Sequence, residues 1–241
     1  MTETTLTRKD MKEPDKFQQA ATQAASWIAA RRKHVVLAGA LVVAAVVVLA
    51  ILKASTDARE ERAGQAASQL LATVGGEISP VPLPGLPGPF FPTDEARQHA
   101  VVESAQGVLA AHPGTGAAQL AALALGDAQS RLRAWDDAKA AYERFLASAP
   151  QGDSLRFGAL EGIAIAEEAK GSLDAAAAAY ERMGREAPAF GDRADLERAR
   201  VLARAGKTAD AKAILTAFGE QHKSSLLTAD ASQLLARLGG K

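Results

Sequence analysis

The sequence predicts an all-α protein in which one transmembrane helix precedes an α-solenoid of stacked helical hairpins. An uncharged run of eighteen residues near the N-terminus predicts the transmembrane helix. Alanine makes up nearly a quarter of the 241 residues and aromatic residues only 5%, a composition that favours closely packed helices over sheets. A pattern of small, aromatic and proline residues recurs in the C-terminal half, as in repeat proteins.

Residues 1–34 predict a cytoplasmic head. They carry seven Lys or Arg against four Asp or Glu, whereas residues 53–241 carry 21 against 24. We expect the first part of the head to be disordered. Its second part predicts an amphipathic helix, because apolar residues recur at helical spacing over residues 17–28. An interfacial helix on the membrane surface and an ordinary solvated helix fit this pattern equally well.

The run at residues 35–52 predicts a single membrane-spanning helix. Eighteen residues rise about 27 Å as a helix, close to the hydrocarbon thickness of a bilayer. Both the run and the segment before it are longer than in a cleaved signal peptide, so we expect a permanent anchor. The alternative is a buried core helix, but such a helix rarely lacks polar residues on every face.

The charges beside this run predict its orientation. Arg31, Arg32 and Lys33 directly precede it, whereas the basic residues that follow it are mixed with acidic ones. The positive-inside rule then places the N-terminus in the cytoplasm. The surplus of Ala, Gly and Arg is typical of GC-rich bacteria, so we expect an inner-membrane protein with a periplasmic C-terminal domain.

Two further segments are predicted between the anchor and the repeats. Residues 53–74 predict a juxtamembrane helix, which Gly75 and Gly76 end. Residues 75–92 predict a Pro/Gly-rich loop, because six of the ten prolines fall there and exclude a helix. The loop is either a stiff polyproline-like linker or a ligand segment for an aromatic groove of a partner.

Residues 93–241 predict a helical-repeat domain. The segment 133–150 recurs at 171–188 with an offset of 38, and a third copy follows with an offset of 35. In each copy a small residue precedes a large one by four positions, so the two share a helix face. The small residue lets two helices approach, and the large one wedges into the next hairpin. The three pairs are Ala138 and Tyr142, Ala176 and Tyr180, and Ala211 and Leu215.

The ends of this domain predict two more elements. Val101, Ala105 and Val108 indicate another second helix, whose partner would be the juxtamembrane helix across the proline-rich loop. This gives about three and a half hairpins. A final helix near residues 226–238 would cap the open end of the solenoid.

The repeat pattern resembles the tetratricopeptide repeat family. In that family Leu-Gly lies in the first helix, Gly at the turn, Ala and an aromatic residue in the second helix, and Pro at the end. Leu125, Gly126, Ala138, Tyr142 and Pro150 match this pattern in register. The departures are Ile163-Ala164 and Arg198-Ala199, which replace Leu-Gly, and offsets that exceed the family's period of about 34 residues.

The whole arrangement resembles the ancillary subunit family of the bacterial Sec translocon. The resemblance lies in a short head, one anchor and a repeat domain outside the membrane, with Trp27 and a basic cluster leading into the anchor. A related repeat domain occurs in the Tol-associated cell-division coordinator. The resemblance implies a protein-binding function in the cell envelope.

The sequence offers no candidate catalytic or metal site. It contains no cysteine, which excludes disulfides and thiolate ligands. The adjacent carboxylates Asp136-Asp137 and Glu167-Glu168 point apart on a helix, as solvated surface residues do. We therefore expect a non-enzymatic protein without cofactors, small-molecule substrate or nucleic-acid partner. The four histidines, His34, His99, His112 and His222, have no metal-binding spacing.

The resemblance to tetratricopeptide repeats implies a groove lined by the first helices, which holds peptides or protein segments. The charges along it predict a groove that is acidic in the middle and basic at its far end. The alternative is that these are ordinary solvated charges. The candidate groove residues are Asp127, Ser130, Arg131, Glu161, Glu168, Arg193, Arg200 and Arg204.

These observations lead to two functional hypotheses. In the first, the protein is a membrane-anchored scaffold or chaperone-like adaptor on the periplasmic side of the Sec translocon. Its partners would be translocon subunits, emerging polypeptides or periplasmic chaperones. In the second, it is an envelope-assembly or cell-division adaptor that binds Tol-like or pilus machinery.

Overall fold

The computed structural model describes residues 32–82, 85 and 88–240. The chain divides into two compact units, which meet in the sequence at Asp57 and Ala58. The predicted cytoplasmic head falls almost wholly on residues 1–31, which lie outside the described residues. The described α-helices are α1 (Arg32–Val74), α2 (Asp94–Ala111), α3 (Gly116–Arg131), α4 (Trp135–Ser148), α5 (Arg156–Ala169), α6 (Leu173–Glu186), α7 (Gly191–Arg204), α8 (Thr208–Gln221) and α9 (Thr228–Gly239).

The first helix, α1, is 43 residues long and contains both the apolar run at 35–52 and the helix predicted over 53–74. Within the described residues, no helix has the length and apolar character needed to cross a membrane. The side chains of residues 34–40 and 42 lie outside the description. The transmembrane helix therefore stays a prediction from the sequence.

The proline-rich segment contains two short strands that the sequence did not predict. Strand β1 (Glu77–Ile78) pairs in parallel with β2 (Phe90–Phe91). Ser79 N–H donates to the Phe91 carbonyl at 2.8 Å, and Arg97 of α2 donates to the Gly76 carbonyl at 3.1 Å. The start and the end of the segment are thus held together, which a simple polyproline linker would not require. A strand of two residues carries no readable alternation of polar and apolar side chains.

The second unit is built from consecutive helical hairpins. Ala63 and Leu70 of α1 are fully buried in the same hydrophobic cluster as Val101 and Ala105 of α2, and the hairpin predicted across the proline-rich loop stays a prediction. The pairs α3 and α4, α5 and α6, and α7 and α8 follow, and α9 packs against α8 and α7. With the predicted pair of α1 and α2 counted as the first, the described chain holds four hairpins, and α9 follows the last of them.

The repeat offsets predicted from the sequence are confirmed. Helices α4, α6 and α8 are each fourteen residues long and begin at Trp135, Leu173 and Thr208. These starts lie 38 and 35 residues apart. The small residue of each second helix is fully buried, as close approach of two helices requires. These residues are Ala138, Ala176 and Ala211.

The turns within the last three hairpins share one backbone conformation. Arg133, Gly171 and Gly206 have φ of 60°, 80° and 79°. In each turn the amide N–H of the following residue donates at 2.9 Å to the carbonyl five residues before it, which would otherwise be unpaired at the end of the helix. Among the described residues, Arg133 alone holds positive φ without being glycine.

Tyr142 is the wedge between the second and third hairpins. Its ring lies against Gly126 of α3 on one side and Gly162 of α5 on the other. A Cβ atom added to Gly126 would lie 2.6 Å from Cδ1 of the ring, and one added to Gly162 would lie 2.5 Å from Cζ. Only glycine fits at these two positions, because ordinary carbon contacts are about 3.5–4.0 Å.

A buried arginine that the sequence did not indicate joins the same two hairpins. Arg156 is 2% exposed, and its Nη1 donates to the carbonyls of Leu146 and Ala149 at 2.9 and 3.0 Å. These carbonyls lie at the end of α4, where no helical partner remains. The guanidinium group also pairs with Glu186 at the end of α6.

The contact around Tyr142 predicts an effect on stability. We expect Gly162→Ala to lower the free energy of unfolding by about 1–3 kcal/mol, because the added methyl group overpacks the ring. Gly158→Ala on the same helix is the matched control, since its added Cβ would meet nothing within 4 Å. This control should raise stability by about 0.5–1 kcal/mol. Urea denaturation followed by circular dichroism measures the unfolding free energy of both variants. Equal effects of the two substitutions would contradict the close packing of the Tyr142 ring against Gly162.

The left-handed backbone at Arg133 predicts that a substitution by glycine stabilises the protein. Left-handed backbone costs a residue with a Cβ atom about 1–2 kcal/mol, whereas glycine loses about 0.5–1 kcal/mol more entropy on folding. We expect Arg133→Gly to raise the free energy of unfolding by about 0.5–1 kcal/mol. Gly171→Ala, at the equivalent turn, should lower it by at least as much. A loss of stability in Arg133→Gly would show that its side chain matters more than its backbone.

The carboxyl group of Glu186 predicts a pH dependence. Burial opposes its ionisation, but hydrogen bonds from Arg182 and Arg156 outweigh burial and hold its pKa below the usual 4.5. Glu186 therefore adds to the unfolding free energy above about pH 4.5, and this contribution is lost as the pH falls through the folded-state pKa.

We expect Glu186→Gln to lower the unfolding free energy by about 1–3 kcal/mol at neutral pH. The difference from the parent chain should shrink toward zero in acid, where Glu186 is protonated as well. Denaturant titrations over a series of pH values measure it. Glu220→Gln, at a carboxylate that is 86% exposed, is the control and should change little. A difference that is independent of pH would contradict this assignment.

Candidate functional site

Two neighbouring first helices, α5 and α7, line one cavity of the repeat unit. Residues on α5 recur at intervals of four and three, and residues on α7 at intervals of four, three and four, so each set occupies one helix face. The cavity between them measures about 440 Å³, and we call it the arginine groove. Its apolar lining residues are Ile165 and Ala169. Its charged and aromatic lining residues are Glu161, Glu168, Tyr180, Arg193, Glu197, Arg200 and Arg204.

Ion pairs join the two helices across the arginine groove. Arg193 Nε donates to Glu161 at 2.6 Å, and Arg200 Nη2 donates to Glu168 at 2.6 Å. Arg204 also pairs with Glu168. The acidic residues of one hairpin thus bind the basic residues of the next. The acidic residues predicted for the middle of the groove lie on α5 and the basic residues predicted for its far end lie on α7, and the two sets are paired with each other.

The two kinds of charge lie at different depths. The side chains of Glu161 and Glu168 are 16% and 11% exposed, whereas those of Arg193, Arg200 and Arg204 are 51%, 39% and 49% exposed. A guanidinium group has five N–H donors, and an ion pair uses one or two of them. The surface of the arginine groove therefore presents guanidinium groups, with carboxylates beneath them that fix their positions.

Tyr180 supports this arrangement from the second helix of the hairpin. Its hydroxyl group donates to Oε1 of Glu168 at 3.0 Å. Burial of the phenol, together with the negative charge of Glu168, raises the pKa of Tyr180 well above its usual value. The hydroxyl group therefore keeps its proton and remains a donor that holds Glu168 in place.

An aromatic pair lies beside the groove. The rings of Phe157 and Phe190 stack with centroids 3.8 Å apart, and the guanidinium carbon of Arg193 lies 5.9 Å from the centroid of Phe157. Phe190 is 36% exposed. The stack limits the side-chain motion of Arg193 through a cation–π contact.

A second cavity of about 270 Å³ lies between α1, α2 and α3, and we call it the apolar cleft. Leu71 and Val74 at the end of α1 are 51% and 40% exposed there. Leu120, Leu123 and Ala124 of α3 and Val101 of α2 continue the apolar lining. Arg97, Gln98, Asp127 and Arg131 add polar groups.

The remaining candidate residues lie at this second cavity or behind it. Asp127 and Arg131 line the apolar cleft. The Tyr142 hydroxyl group donates to Oδ1 of Asp127 at 2.8 Å and lies 3.3 Å from Oγ of Ser130. Desolvation raises the pKa of Asp127, against the hydrogen bond from Tyr142 and the charge of Arg131. Ser130 thus contacts the wedge rather than either cavity.

Four residues of the arginine groove were not predicted, and one of them is the small apolar Ala169. Ile165 and Glu197 continue the helical spacing of the predicted residues on α5 and α7, so that spacing could have identified them. Tyr180 was predicted as a packing residue only, because its sequence position does not indicate where the hydroxyl group points.

The predicted solvation of Glu167-Glu168 is wrong, although the two side chains do point apart. Glu167 is 5% exposed and accepts a hydrogen bond from Lys139 at 2.5 Å. This bond lowers the pKa of Glu167 against the effect of burial. Glu168 lies on the other side of α5, in the arginine groove. Helix α5 is covered on both flanks, so neither carboxylate is ordinary surface.

The described residues contain no group of three or more His, Asp or Glu side chains that could hold a metal ion. His222 instead bonds to Asp195 at 2.9 Å, and Ser225 donates to Asp192 at 2.6 Å. These contacts tie the connection between α8 and α9 to α7, so they serve the fold.

Comparison with known protein families supports the repeat assignment. The tetratricopeptide repeat family matches residues 120–152, which cover most of α3 and all of α4. The match includes Leu125, Gly126, Ala138, Tyr142 and Pro150. Comparison with curated protein sequences gives no significant match. Residues 120–152 are thus similar to a tetratricopeptide repeat, and the hairpins around them stack in succession as the hairpins of such repeats do.

Proposed function

We propose that this protein is a non-enzymatic, membrane-anchored adaptor that binds a segment of a partner protein in the arginine groove. The observation that carries the proposal is the layer of exposed guanidinium groups above the less exposed carboxylates of Glu161 and Glu168. Because folding already orders these arginines, a partner that binds them loses less side-chain entropy on association. Guanidinium groups also bind carboxylates with defined geometry.

The membrane anchor at residues 35–52 is part of this proposal. Its support is the uncharged run together with the exposure of the described apolar side chains in α1. Eight large apolar residues within 41–52 are half exposed or more. Apolar surface costs about 25 cal/mol per Å² in water, and a bilayer would cover it. The twelve Val, Leu and Ile residues of the run would favour insertion by about 5 kcal/mol.

We place the protein in the bacterial inner membrane with a cytoplasmic N-terminus and a periplasmic repeat unit. The support is the basic cluster Arg31, Arg32 and Lys33 before the run. A tethered module meets a membrane partner at a high effective concentration, so weak contacts in the groove suffice for binding. Residues 53–241 carry 21 basic against 24 acidic side chains, which does not favour nucleic acid.

The proposed partner is the Sec translocon, with emerging polypeptides or periplasmic chaperones as ligands of the groove. The support is the arrangement of head, anchor and repeat unit, which resembles the ancillary translocon subunit. The alternative partners are Tol-like or pilus machinery in envelope assembly or cell division. An experiment that identifies the partner must therefore separate these two groups.

Photo-crosslinking from the groove tests this function. We expect a photoreactive amino acid at Ile165, which is 46% exposed in the groove, to give protein adducts in intact cells. The same group at Ala147, an exposed residue of α4, is the matched control and should give few. Mass spectrometry of carbonate-washed membranes identifies the adducts.

Four outcomes distinguish the parts of the proposal. Adducts with translocon subunits or secreted chains support the Sec assignment, whereas adducts with Tol, pilus or division proteins support the alternative. Equal labelling from Ile165 and Ala147 would contradict a binding function of the groove. Recovery of the protein in the carbonate-soluble fraction would contradict the membrane anchor.

A further inference from the structure

We infer that the segment bound by this protein has an apolar stretch that fills the apolar cleft and, farther along the same segment, acidic side chains that reach the arginine groove. The inference rests on the proposed function and specifies the chemistry of the partner. It joins two cavities that the repeat places in succession along the first helices.

The two cavities lie along a continuous series of helices. The apolar cleft involves α1 and α3, and the arginine groove lies between α5 and α7. Helix α3 contacts α5 directly, and Tyr142 packs against both of them. One extended segment that leaves the apolar cleft along the first helices therefore reaches the arginine groove next.

Equivalent tyrosines show that the cavities open on the same side of the hairpins. Tyr142 and Tyr180 occupy the same repeat position, 38 residues apart. The hydroxyl group of Tyr142 donates to Asp127 at the apolar cleft, and that of Tyr180 donates to Glu168 at the arginine groove. Because the repeat places both hydroxyl groups alike, the residues they bind lie on one face of the repeat unit.

The apolar cleft favours an apolar ligand. Its most exposed members, Leu71 and Val74, lose unfavourable contact with water when they are covered. Two of the charged groups at its edge, Arg97 and Asp127, have partners in the chain. Arg97 donates to Asp94 at 2.6 Å and to the Gly76 carbonyl, and Asp127 accepts from Tyr142. The cleft therefore offers mainly apolar contact area, with Arg97 and Arg131 at its edge.

The arginine groove favours an acidic ligand. Glu161 and Glu168 lie below its guanidinium groups, and Glu197 at 27% is less exposed than each of the three arginines, so an approaching segment meets mainly positive charge. A carboxylate on that segment would complete a chain of alternating charges from Glu168 through Arg200 or Arg204. A lysine or arginine at the same place would face like charges, which costs binding energy.

Two other occupants fit this combination poorly. A second copy related by two-fold symmetry would bring the same guanidinium layer against itself. The proline-rich segment of this chain is apolar, but residues 78–92 contain no Asp or Glu to reach the arginines. A different protein that carries both kinds of side chain satisfies both cavities.

The test uses the full chain in lipid nanodiscs, with empty nanodiscs as the blank. The probe is a fluorescent synthetic peptide with a leucine- and valine-rich half and a glutamate-rich half, made in both chain directions. Fluorescence anisotropy gives the dissociation constant. We expect the better direction to bind about tenfold more tightly than either half alone and than a version with lysine in place of glutamate.

Single substitutions assign the two halves of the probe to their cavities. We expect Arg204→Gln to weaken binding of the whole peptide by about 5- to 10-fold but to leave the apolar half unchanged. Leu71→Ser should weaken the apolar half and leave the acidic half unchanged. Arg185→Gln, at an exposed arginine paired with Glu181 on α6, is the matched control and should have no effect. Circular dichroism checks that each variant is folded.

Several results would overturn the inference. Equal binding of the lysine and glutamate peptides would contradict the need for acidic side chains in the ligand. Equal effects of Arg204→Gln and Arg185→Gln would contradict binding in the arginine groove. A dimer in sedimentation that Leu71→Ser dissociates would assign the cleft to a second copy. If Ile165 crosslinks to a partner but the peptide does not compete, this inference fails and the proposed function stands. If neither binding nor crosslinking occurs, both fail.

Discussion

The arrangement of the hairpins depends on the contact between the Tyr142 ring and two glycines. The ring fills the space between α3 and α5, and no larger residue fits at Gly126 or Gly162. This contact sets the separation of the second and third hairpins, and through it the side on which the tyrosine hydroxyl groups lie. Both cavities contain an acidic residue that such a hydroxyl group holds. The packing of the core therefore also determines the geometry of the binding surface.

The hairpins could be predicted from the sequence because each carries the same local signal. A buried alanine, a large residue four positions later and a turn repeat at offsets of 38 and 35, and these features depend only on neighbours within one helix or turn. The pairing of β1 with β2 could not be predicted, because strands of two residues carry no readable alternation. The burial of Arg156 could not be predicted either, because its partners at the ends of α4 and α6 meet it only after the helices pack. The candidate site could be predicted only in part. Helical spacing selected most of its residues, but the depth of each charge depends on the facing helix.

The arginine groove shows how a surface of balanced formal charge can still discriminate between ligands. Glu161, Glu168 and Glu197 equal its three arginines in number, so long-range attraction of a charged partner is weak. Discrimination then operates at contact, where the partner meets the guanidinium groups and not the carboxylates. Such a groove selects by short-range geometry, and salt should affect it less than it affects a surface of high net charge.

The two strands around the proline-rich segment have a consequence for how this region can vary. Ile78 and Phe91 are held together by backbone pairing, and Arg97 fixes Gly76 to the start of α2. The first hairpin therefore does not depend on the length of the chain between the strands. The entropy of closing a loop rises only with the logarithm of its length, by about 0.6 kcal/mol for each doubling. Insertions or deletions between β1 and β2 would thus be tolerated, and this loop is a position where a tag or a second domain could be inserted without separating α1 from α2.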